Sequence, residues 1–499
     1  MTILSLKDAG YLAQIDLFKN LTLTFGLNDR VGLVAQNGAG KTTLLRCLAG
    51  ELDFSSGEVF RSRGTRIGYM PQEVDEALME LTFHEAVLSA LPSDVHESES
   101  WRVDMVLDTL NTPQVTRDAS VAALSGGWQR LMLLARVWIT EPDVLLMDEP
   151  TNHLDLEKIL LLEEWINTWV SSVPVIVASH DRSFLDAITN RTLFLRPETS
   201  HLFSLPYSLA RDELSHIDAA KAVEQERQLS EAGRLRKQSA KLKNIGINSG
   251  SDLLQKKQKQ LRERAEKIEE DVSVLHYERA GEIRLSNSGT HAKTLIRIEN
   301  LQVSTPDGRA LFKVEKLHVL QGDRIVILGH NGLGKSTLVR LLRSALVDAQ
   351  EIESIKATPT LATGYMDQAI SNIPLDQTPF EFIAGNGQSD ANTRSSLATA
   401  GIHFDWQSQP IKKLSLGQRS RVALLALHFA QPNFYLLDEP TNHIDIAGQE
   451  ALAEEIKDRG ASCVLVSHDR TFVRDVGTRF LIIERGRLIE RESSEDYFF

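Results

Sequence analysis

One twelve-residue segment occurs twice in this 499-residue chain, and the repetition restricts the chain to a duplicated fold. The copies are Val144–Asp155 and Phe434–Asp445, which share Asp-Glu-Pro-Thr-Asn-His, then Leu or Ile, then Asp. In each copy a short apolar run ends in two acidic residues, which is the pattern of a buried parallel strand with carboxylates at its carboxyl end. Open α/β sheets bind their ligands at this edge. The sequence therefore predicts two related α/β domains, each with a site at the end of this strand.

A glycine-rich loop precedes each copy of the acidic segment. The loops are Ala35–Thr42, after the strand pattern Arg30–Val34, and Gly329–Ser336, after Arg324–Leu328, and a helix pattern follows each of them. The order strand, glycine-rich loop and helix is that of a phosphate-binding loop. Ala35 replaces the first glycine of this pattern. We expect the replacement to be tolerated, because this position is the farthest of the glycines from the phosphate.

The residue types of the two loops suit the binding of a nucleotide phosphate. Backbone N–H groups surround a β-phosphate at the helix N-terminus, the lysine side chain reaches the β- and γ-oxygens, and the following hydroxyl is a ligand for Mg²⁺. The phosphate-binding residues predicted in the loops are Asn37, Gly38, Gly40, Lys41, Thr42, Thr43, Asn331, Gly332, Gly334, Lys335, Ser336 and Thr337.

Other short motifs repeat at a nearly constant offset. They are Gln72 and Gln368, Leu124–Trp128 and Leu414–Gln418, and Ser179–Arg182 and Ser467–Arg470. The offset is 294 residues for the loop lysines, 290 for the glutamates of the acidic segments and 288 for the histidines of the last pair. Such constancy indicates a tandem duplication of one domain of about 200 residues, a common domain size.

Together these motifs resemble those of proteins that carry two ATP-binding cassettes on one polypeptide. The form Asp-Glu-Pro-Thr-Asn-His resembles specifically the ABC-F family of ribosome-associated translation factors. The resemblance covers nearly the whole chain. It implies an α/β protein with two tandem ABC-type P-loop ATPase domains, residues 1–204 and 292–499, joined by an α-helical hairpin (coiled-coil) linker, residues 205–291. It also implies a cytoplasmic ATPase with two ATP sites and Mg²⁺, in which the two cassettes of a monomer close face to face.

The resemblance also implies a role for each repeated residue. Glu149 and Glu439 act on the attacking water, and His180 and His468 hydrogen-bond the γ-phosphate. The implied Mg²⁺ ligands are Thr42, Gln72, Asp148, Ser336, Gln368 and Asp438. The further residues implied to contact nucleotide are Tyr11, Gln72, Ser125, Gly126, Gly127, Gln368, Ser415 and Gly417. Each site borrows its signature loop from the other cassette, so that Ser415 serves the site of Lys41.

Three positions within the acidic segments and signature loops set the expected contacts of the sites. Asp155 and Asp445 are expected at the contact between the cassettes. Leu416 replaces the usual first glycine of the second signature loop, which narrows the room around the nucleotide held by Lys41. Tyr11 lies where cassettes place an aromatic ring against adenine, and the matching part of the second repeat has no aromatic residue. We therefore predict two sites that both hydrolyse ATP at unequal rates.

The stretch from about residue 205 to residue 290 has a different pattern. Apolar residues spaced by three and four from Leu254 to Leu275 predict one helix of a coiled coil, and a second helix is predicted over Ala210–Lys243. Glycine and asparagine in Asn244–Asp252 predict the turn between them. The two helices, of about 35 and about 25 residues, would form a hairpin that extends on the order of 40 to 50 Å.

Basic residues concentrate near the predicted turn. They are Arg234, Arg236, Lys237, Lys241, Lys243, Lys256, Lys257, Lys259, Arg262 and Arg264. Only Asp252 and Glu263 oppose them, so this stretch carries a net charge of +8 inside a chain of net charge −13. The acidic total argues against a protein that coats nucleic acid with its whole surface, whereas a local basic tip favours contact with a phosphate backbone. The resemblance implies that this tip reaches the ribosome, at the P-site tRNA and rRNA near the peptidyl-transferase centre.

Two cysteines, Cys47 and Cys463, lie in apolar segments and are expected to be buried, which excludes a disulfide framework. The chain shows no signal peptide and no run of about 18 apolar residues, so we expect it not to enter a membrane. The alternative is that the chain is the tandem-cassette ATPase subunit of a membrane importer. A charged helical hairpin between the cassettes argues against it, because an importer does not need one. A DNA-repair ATPase would need a much longer coiled coil or zinc-binding cysteines. Relief of stalled ribosomes and displacement of a bound antibiotic both stay open as outcomes.

Overall fold

The computed structural model describes residues 2–13, 16–249, 252–271, 281–371, 373–385 and 387–498. The chain forms two compact units, one of Met1–Leu202 with Glu278–Phe499 and the other of Phe203–Tyr277. The first unit contains both copies of the repeat, and the second contains a helical hairpin. In the described parts of the chain, no helix combines the length and the apolar composition that crossing a membrane requires.

The first repeat is an α/β structure whose strands and helices alternate. They are β1 (Thr2–Leu12), β2 (Asp16–Gly26), β3 (Arg30–Val34), α1 (Lys41–Ala49), β4 (Ser56–Arg61), β5 (Ile67–Met70), α2 (Phe83–Leu88), α3 (His96–Thr109), α4 (Gln114–Arg117), α5 (Gly126–Trp138), β6 (Val144–Asp148), α6 (Leu156–Trp169), β7 (Val175–Ala178), α7 (Arg182–Ile188), β8 (Arg191–Phe194) and β9 (His201–Phe203). Strand β3 has the bounds that the sequence predicts. Helix α1 follows the phosphate-binding loop directly.

The hairpin consists of two helices, α8 (Tyr207–Ser249) and α9 (Asp252–Asp271). They pack antiparallel through Ala232 and Leu235 on α8 and Ala265 on α9, all of which are buried. Farther along α8, toward its C-terminal end, the Ser239 hydroxyl donates to the backbone carbonyl of Gln258 in α9 over 3.0 Å. A helical hairpin with a small apolar seam is therefore present, as predicted.

The predicted turn over residues 244–252 is wrong for residues 244–249, which are helical. Helix α8 continues without a break to Ser249, and α9 begins at Asp252. Residues 250 and 251 lie outside the described residues, as do Val272 and Leu275 of the predicted apolar seam. The single glycine inside the end of α8 costs roughly 1 kcal/mol, which is too little to end a helix that its neighbours continue.

The second repeat follows the same order of elements. They are β10 (Thr294–Ser304), β11 (Ala310–Leu320), β12 (Arg324–Leu328), α10 (Lys335–Leu346), β13 (Ile355–Ala357), β14 (Thr363–Met366), α11 (Pro379–Ala384), α12 (Asp390–Thr399), α13 (Phe404–Gln407), α14 (Leu416–Ala430), β15 (Phe434–Asp438), α15 (Ile446–Asp458), β16 (Ser462–Val466), α16 (Arg470–Val476), β17 (Arg479–Glu484), β18 (Arg487–Arg491) and α17 (Glu495–Phe498). Strand β12 has the predicted bounds, and β15 forms from the predicted apolar run at the start of the second acidic segment.

Part of the segment that the sequence assigned to the linker packs on the second repeat. Ile283 and Leu285 are 5% and 1% exposed and belong to its apolar core. The backbone N–H of Leu285 donates to Glu455 over 2.9 Å, and the hydroxyl of Tyr435 accepts a hydrogen bond from Ser286 over 3.0 Å. Apolar side chains two residues apart thus anchor the entry into the second repeat.

The sheet order explains why the motifs meet. In the first repeat a six-stranded sheet has the order β5-β6-β7-β3-β8-β9, beside an antiparallel sheet β2-β1-β4. In the second repeat one nine-stranded sheet has the order β13-β10-β11-β18-β17-β12-β16-β15-β14. Strands β6, β7 and β3 are neighbours and parallel, as are β15, β16 and β12. Parallel neighbours end at one edge of the sheet, so the acidic segment, the histidine and the phosphate-binding loop meet there.

The central strands are buried on both faces. Val144, Leu145, Leu146 and Met147 of β6 are all inaccessible to solvent, as the continuous apolar run predicts for a parallel strand. Both cysteines are buried and unpaired, which confirms the prediction made for them. The rigid strands hold the polar residues that follow them at fixed positions.

Candidate functional site

Both phosphate-binding loops end in a glycine with a left-handed backbone. Gly40 has φ 95° and precedes α1, and Gly334 has φ 101° and precedes α10. Neither position provides a side chain that caps the helix. The first N–H groups of each helix therefore stay available to an anion, and the helix dipole favours negative charge at the same place. This geometry can bind a phosphate group.

The loop lysines are buried but have different partners. Lys41 Nζ lies 2.9 Å from His180 Nε2, 3.1 Å from the carbonyl oxygen of Ala35 and 3.9 Å from Glu149 Oε1. Lys335 Nζ donates to the carbonyl oxygen of Gly329, the position that matches Ala35, over 2.6 Å, and its second contact is the carbonyl oxygen of His330 at 3.1 Å. Burial lowers the pKa of both lysines. The two loops are thus alike in backbone and unlike in the contacts of their cations.

The glutamate of each acidic segment occupies a strained backbone position. Glu149 has φ 50° and Glu439 has φ 52°, values that are uncommon for residues other than glycine. Each backbone N–H continues the sheet by donating to the next strand, to Ala178 over 2.8 Å and to Val466 over 2.9 Å. Strain at matching positions of both repeats turns each side chain at the strand end in the same way.

Burial adjusts the acidity of these two glutamates. Burial raises the pKa of Glu149 to about 7 and that of Glu439 to about 8. Glu149 Oε2 accepts the backbone N–H of His180 over 3.2 Å, and Glu439 Oε2 accepts that of His468 over 3.3 Å. Burial also lowers the pKa of both histidines, so each is neutral and can donate or accept a hydrogen bond. A carboxylate with a pKa near neutrality suits a general base.

The aspartates that precede the glutamates have the properties of Mg²⁺ ligands. Asp148 and Asp438 are 1% and 4% exposed. Asp438 Oδ1 accepts the hydroxyl of Ser336 over 3.2 Å. Burial raises the pKa of Asp148, and the hydroxyls of Thr42 and Tyr69 oppose this effect. Hard oxygen ligands of this kind fit Mg²⁺. No three His, Cys, Asp or Glu side chains of the described residues converge on one point. The other predicted ligands, Thr42 and Gln72 for the first site and Ser336 and Gln368 for the second, all line the cavity described below.

A cavity of about 980 Å³ connects the residues of both repeats. The predicted residues that line it are Asn37, Gly38, Gly40, Lys41, Thr42, Thr43, Gln72, Asp148, Glu149, His180, Asn331, Gly332, Gly334, Lys335, Ser336, Thr337, Gln368, Ser415, Gly417, Glu439 and His468. Among the described residues, the predicted ones outside its lining are Tyr11, Ser125, Gly126, Gly127 and Asp438. The structure thus assembles most of the first site with the signature loop of the second repeat.

Tyr11, the aromatic residue that the resemblance places against the nucleotide, does not line the cavity. Tyr11 packs against Phe18, with ring centroids 6.5 Å apart, and contributes to the core of the first repeat. Leu17 and Leu311 line the cavity instead. Leu17 and Leu311 are 294 residues apart, the same offset as the two loop lysines, so the sequence repeat could have identified them as matching positions.

The two repeats contact each other through the predicted aspartates. Asp445 Oδ2 accepts the backbone N–H of Asn37 over 3.3 Å, and Asp155 Oδ2 accepts that of Asn331 over 3.3 Å. Each aspartate also caps the helix of its own repeat, α15 or α6. Every phosphate-binding loop is therefore tied to a helix N-terminus of the other repeat.

The signature loops are placed unequally. A Cβ at Gly417 would lie 2.5 Å from the backbone oxygen of His443 in its own repeat and 2.6 Å from Asn37 Nδ2 in the first phosphate-binding loop, so this close approach requires glycine. At Gly127, the matching position of the first repeat, the three atoms nearest to an added Cβ all belong to its own repeat, the nearest being Lys158 Cδ at 3.1 Å. Arg421, which the sequence reasoning missed, donates to both carboxylate oxygens of Asp445 over 3.0 Å. No repeated motif marks Arg421, because leucine occupies the matching position of the first repeat.

Comparisons with known proteins agree in family and fold. The family model described as ABC transporter matches residues 18–152 and 312–442. ABC transporter F family member 5 of Arabidopsis thaliana is 28% identical over 534 residues, which cover 97% of this chain and 75% of that protein. The putative ATP-binding protein YdiF of Bacillus subtilis (strain 168) is 26% identical, with 97% of this chain and 80% of that protein covered.

Among solved structures, the complex of archaeal ribosomal stalk protein aP1 and archaeal ribosome recycling factor aABCE1 resembles this chain with a TM-score of 0.65. The alignment is 20% identical and covers 98% of this chain and 90% of that one. A likeness at this identity concerns the fold. Two tandem nucleotide-binding domains on one chain therefore form a known architecture.

Proposed function

Because this chain belongs to the ABC transporter family and is an ABC-F-type ATPase with two tandem cassettes, we propose that ATP drives its binding to the ribosome. In this proposal two ATP molecules, each with Mg²⁺, close the cassettes, and the closed form binds. The hairpin then remodels the P-site tRNA or the rRNA of the peptidyl-transferase centre, and hydrolysis releases the protein. The observation that carries the ribosomal target is the basic surface of the hairpin.

Six exposed basic side chains of the hairpin form no ion pair with any described residue. They are Arg234, Lys237, Lys241, Lys243, Lys256 and Lys257. The other four basic residues near the turn are neutralised within the hairpin, as in the pair of Arg264 with Glu231 at 3.2 Å. Charges left unpaired on an extended helical hairpin suit the phosphates of a folded RNA, with no base specificity implied.

The hydrolytic step follows from the residues of each site. The lysine and the helix N-terminus bind the phosphates, and Asp148 and Asp438 would hold Mg²⁺, which would neutralise charge on the transferred group. Glu149 and Glu439 hold and orient a water molecule and accept its proton, while the neighbouring histidines donate a hydrogen bond to the γ-phosphate. Asp155 and Asp445 bring the opposite repeat into each site only when the cassettes are together. Hydrolysis is therefore gated by closure.

Names of similar structures agree with a ribosomal role. One such structure is a complex with a ribosomal stalk protein, and another is a model of ribosome-bound archaeal Pelota and ABCE1, with a TM-score of 0.64 and 21% identity. Those words describe the other proteins. The experiment that tests the proposal here is ATP-dependent co-sedimentation of this chain with ribosomes, using a variant that binds ATP without hydrolysing it.

The two sites are expected to hydrolyse ATP at different rates. Leu416 is 46% exposed and lines the cavity beside the first loop, where it restricts the nucleotide held by Lys41. Glu439→Gln, which leaves only the first site active, should therefore show a lower phosphate-release rate than Glu149→Gln, by roughly threefold to tenfold, a difference of about 1 kcal/mol. Steady-state phosphate release without ribosomes measures both rates.

A matched control assigns the difference to Leu416. Adding Leu416→Gly to the Glu439→Gln variant should raise its rate toward that of Glu149→Gln, because the missing glycine of the signature loop is restored. Equal rates of the two single variants would contradict the inequality. An unchanged rate after Leu416→Gly would assign the inequality to another feature, such as the different contacts of Lys41 and Lys335.

A further inference from the structure

A second polar contact between the repeats lies just beyond the site histidines. Helices α7 and α16 begin with Arg182 and Arg470, which stand two residues after His180 and His468. Both arginines are 8% exposed. Burying a guanidinium without a carboxylate partner is strongly unfavourable. The partners of these two side chains therefore show which parts of the protein the arginines join.

The partners belong to the opposite repeat. The guanidinium of Arg470 donates to both carboxylate oxygens of Glu163 on α6, in a pair whose side chains are 10% and 12% exposed. Arg182 lies 3.5 Å from Glu450 on α15 and 3.9 Å from Asp475 on α16. The chain thus places one arginine on each side of the contact between the repeats.

The first turns of the two helices also touch each other. The hydroxyls of Ser183 and Thr471 are 3.1 Å apart, which gives the approach of α7 and α16 a direct hydrogen bond. Asp181 and Asp469 cap these helices by accepting from Phe184 and Phe472 over 2.9 Å. Burial raises the pKa of Asp469 to about 6, while the charge of Arg182 favours its ionised form. Each aspartate thus caps its own helix and interacts electrostatically with the arginine of the opposite repeat, Asp181 with Arg470 and Asp469 with Arg182.

Each arginine joins two parts of one ATP site. Arg470 follows His468, and its partner Glu163 lies on α6, the helix capped by Asp155. Asp155 contacts the phosphate-binding loop of the second repeat, the loop that faces His468. One ion pair thus braces the histidine of the second site against the helix that the first repeat contributes to it.

The first site has the same arrangement with longer contacts. Arg182 follows His180, and Glu450 lies on α15, the helix capped by Asp445, which contacts the first phosphate-binding loop. Arg182 Nε and Nη2 lack hydrogen-bond partners among the described residues. The pair of Arg470 is bidentate, and bidentate arginine–carboxylate pairs are the stronger kind. The brace is therefore tighter at the second site.

We propose that Arg470 with Glu163, and more weakly Arg182 with Glu450, act as positioning residues that keep the two repeats paired between rounds of ATP hydrolysis. Neither pair includes a residue assigned to phosphate, Mg²⁺ or the attacking water. Because no nucleotide atom takes part in either pair, the pairs hold the two repeats near each other without nucleotide, and ATP binding completes the closure. The pairs keep each histidine aligned with the helix that the opposite repeat contributes to its site. ATP binding then has less of the site to order. The inference concerns the ATPase alone and does not depend on the ribosomal target.

The test uses the full chain with Arg470→Gln, Glu163→Gln and the double variant. The expected result is an increase of about tenfold in the ATP concentration for half-maximal hydrolysis, with the maximal rate changed less than about twofold, since saturating ATP restores closure. The double variant should be no worse than the worse single variant, because both remove one interaction. Arg470→Lys, which keeps the charge and loses the bidentate geometry, should be intermediate.

Arg474→Gln is the matched control. Arg474 lies one turn further along α16 and pairs with Glu495 of its own repeat, so its half-maximal ATP concentration should stay at the wild-type value. Small-angle X-ray scattering without nucleotide should show a larger radius of gyration for Arg470→Gln than for Arg474→Gln, with thermal unfolding used to show that both are folded. Equal half-maximal ATP concentrations in the two variants, or additive effects of Glu163→Gln and Arg470→Gln, would overturn the proposal.

Discussion

Replacing both Glu149 and Glu439 with glutamine is expected to lower ATP turnover by about 10²- to 10⁴-fold and to leave the protein on ribosomes in the presence of ATP. Glutamine keeps the size of the side chain and removes the group that accepts the proton. Each glutamate is buried and is bonded to the backbone N–H of the neighbouring histidine, a contact that an amide oxygen also accepts. ATP binding and closure should therefore survive while release is lost.

Sedimentation of ribosomes measures this outcome. The double variant with ATP should be enriched in the ribosome pellet over the wild type with ATP and over the same variant with ADP. Combining it with Lys41→Ala and Lys335→Ala, which remove the phosphate-binding cations, should abolish the enrichment. No enrichment of the double variant over the wild type would defeat the ribosomal proposal. The loss of turnover would in that case still test the two glutamates as general bases.

The features that could be predicted from the sequence are local ones. Strands β3 and β12 have the predicted bounds, and β6 and β15 form where the apolar runs before the acidic residues predict strands. A short apolar run that is bounded by glycine, proline or a charge indicates a buried strand without help from the rest of the chain. The phosphate-binding loops and the acidic segments follow those strands directly. Their convergence could be predicted as well, since parallel strands end at one edge of a sheet.

The turn of the hairpin shows where local signals fail. Glycine and asparagine at residues 244–249 predicted a break, yet α8 continues to Ser249. The preferences of single residues are worth roughly 1 kcal/mol or less and are outweighed in a helix of 43 residues whose other positions favour it. The basic residues near the predicted turn can be read from the sequence. Which of them form ion pairs depends on the register of the two helices and could not be predicted.

Contacts between the repeats could be predicted only in part. Asp155 and Asp445 were placed at the contact because the family motif ends in them. The pair of Arg470 with Glu163 joins residues 307 positions apart. Arg470 ends the repeated motif Ser467–Arg470, but no motif marks Glu163 as its partner. Tyr11 is an aromatic residue at the position that the family pattern predicts, yet its side chain packs against the core and does not line the cavity. Side-chain direction at a strand end depends on neighbours that the sequence does not identify.

Replacing the six unpaired basic residues of the hairpin with glutamine is expected to weaken ribosome binding strongly. If each of the six side chains neutralises one phosphate, the slope of log affinity against log salt concentration should decrease by about 0.7 to 0.9 per lost contact, and affinity at moderate salt should fall by a factor on the order of 10² to 10⁴. The variant carries Gln at 234, 237, 241, 243, 256 and 257. ATP hydrolysis without ribosomes should be unchanged, because these residues are outside the cassettes.

The hairpin offers its own matched control. Arg236, Lys259, Arg262 and Arg264 pair with glutamates of the same two helices, so their charges are already compensated in the free protein. Replacing these four with glutamine should change the salt dependence of ribosome binding much less, although it removes similar side chains from the same hairpin. Exposed ion pairs contribute at most about 1 kcal/mol each, so circular dichroism should show the helices retained in both variants. Equal loss of ribosome affinity in the two variants would mean that total charge, and not the unpaired basic surface, directs the hairpin to RNA.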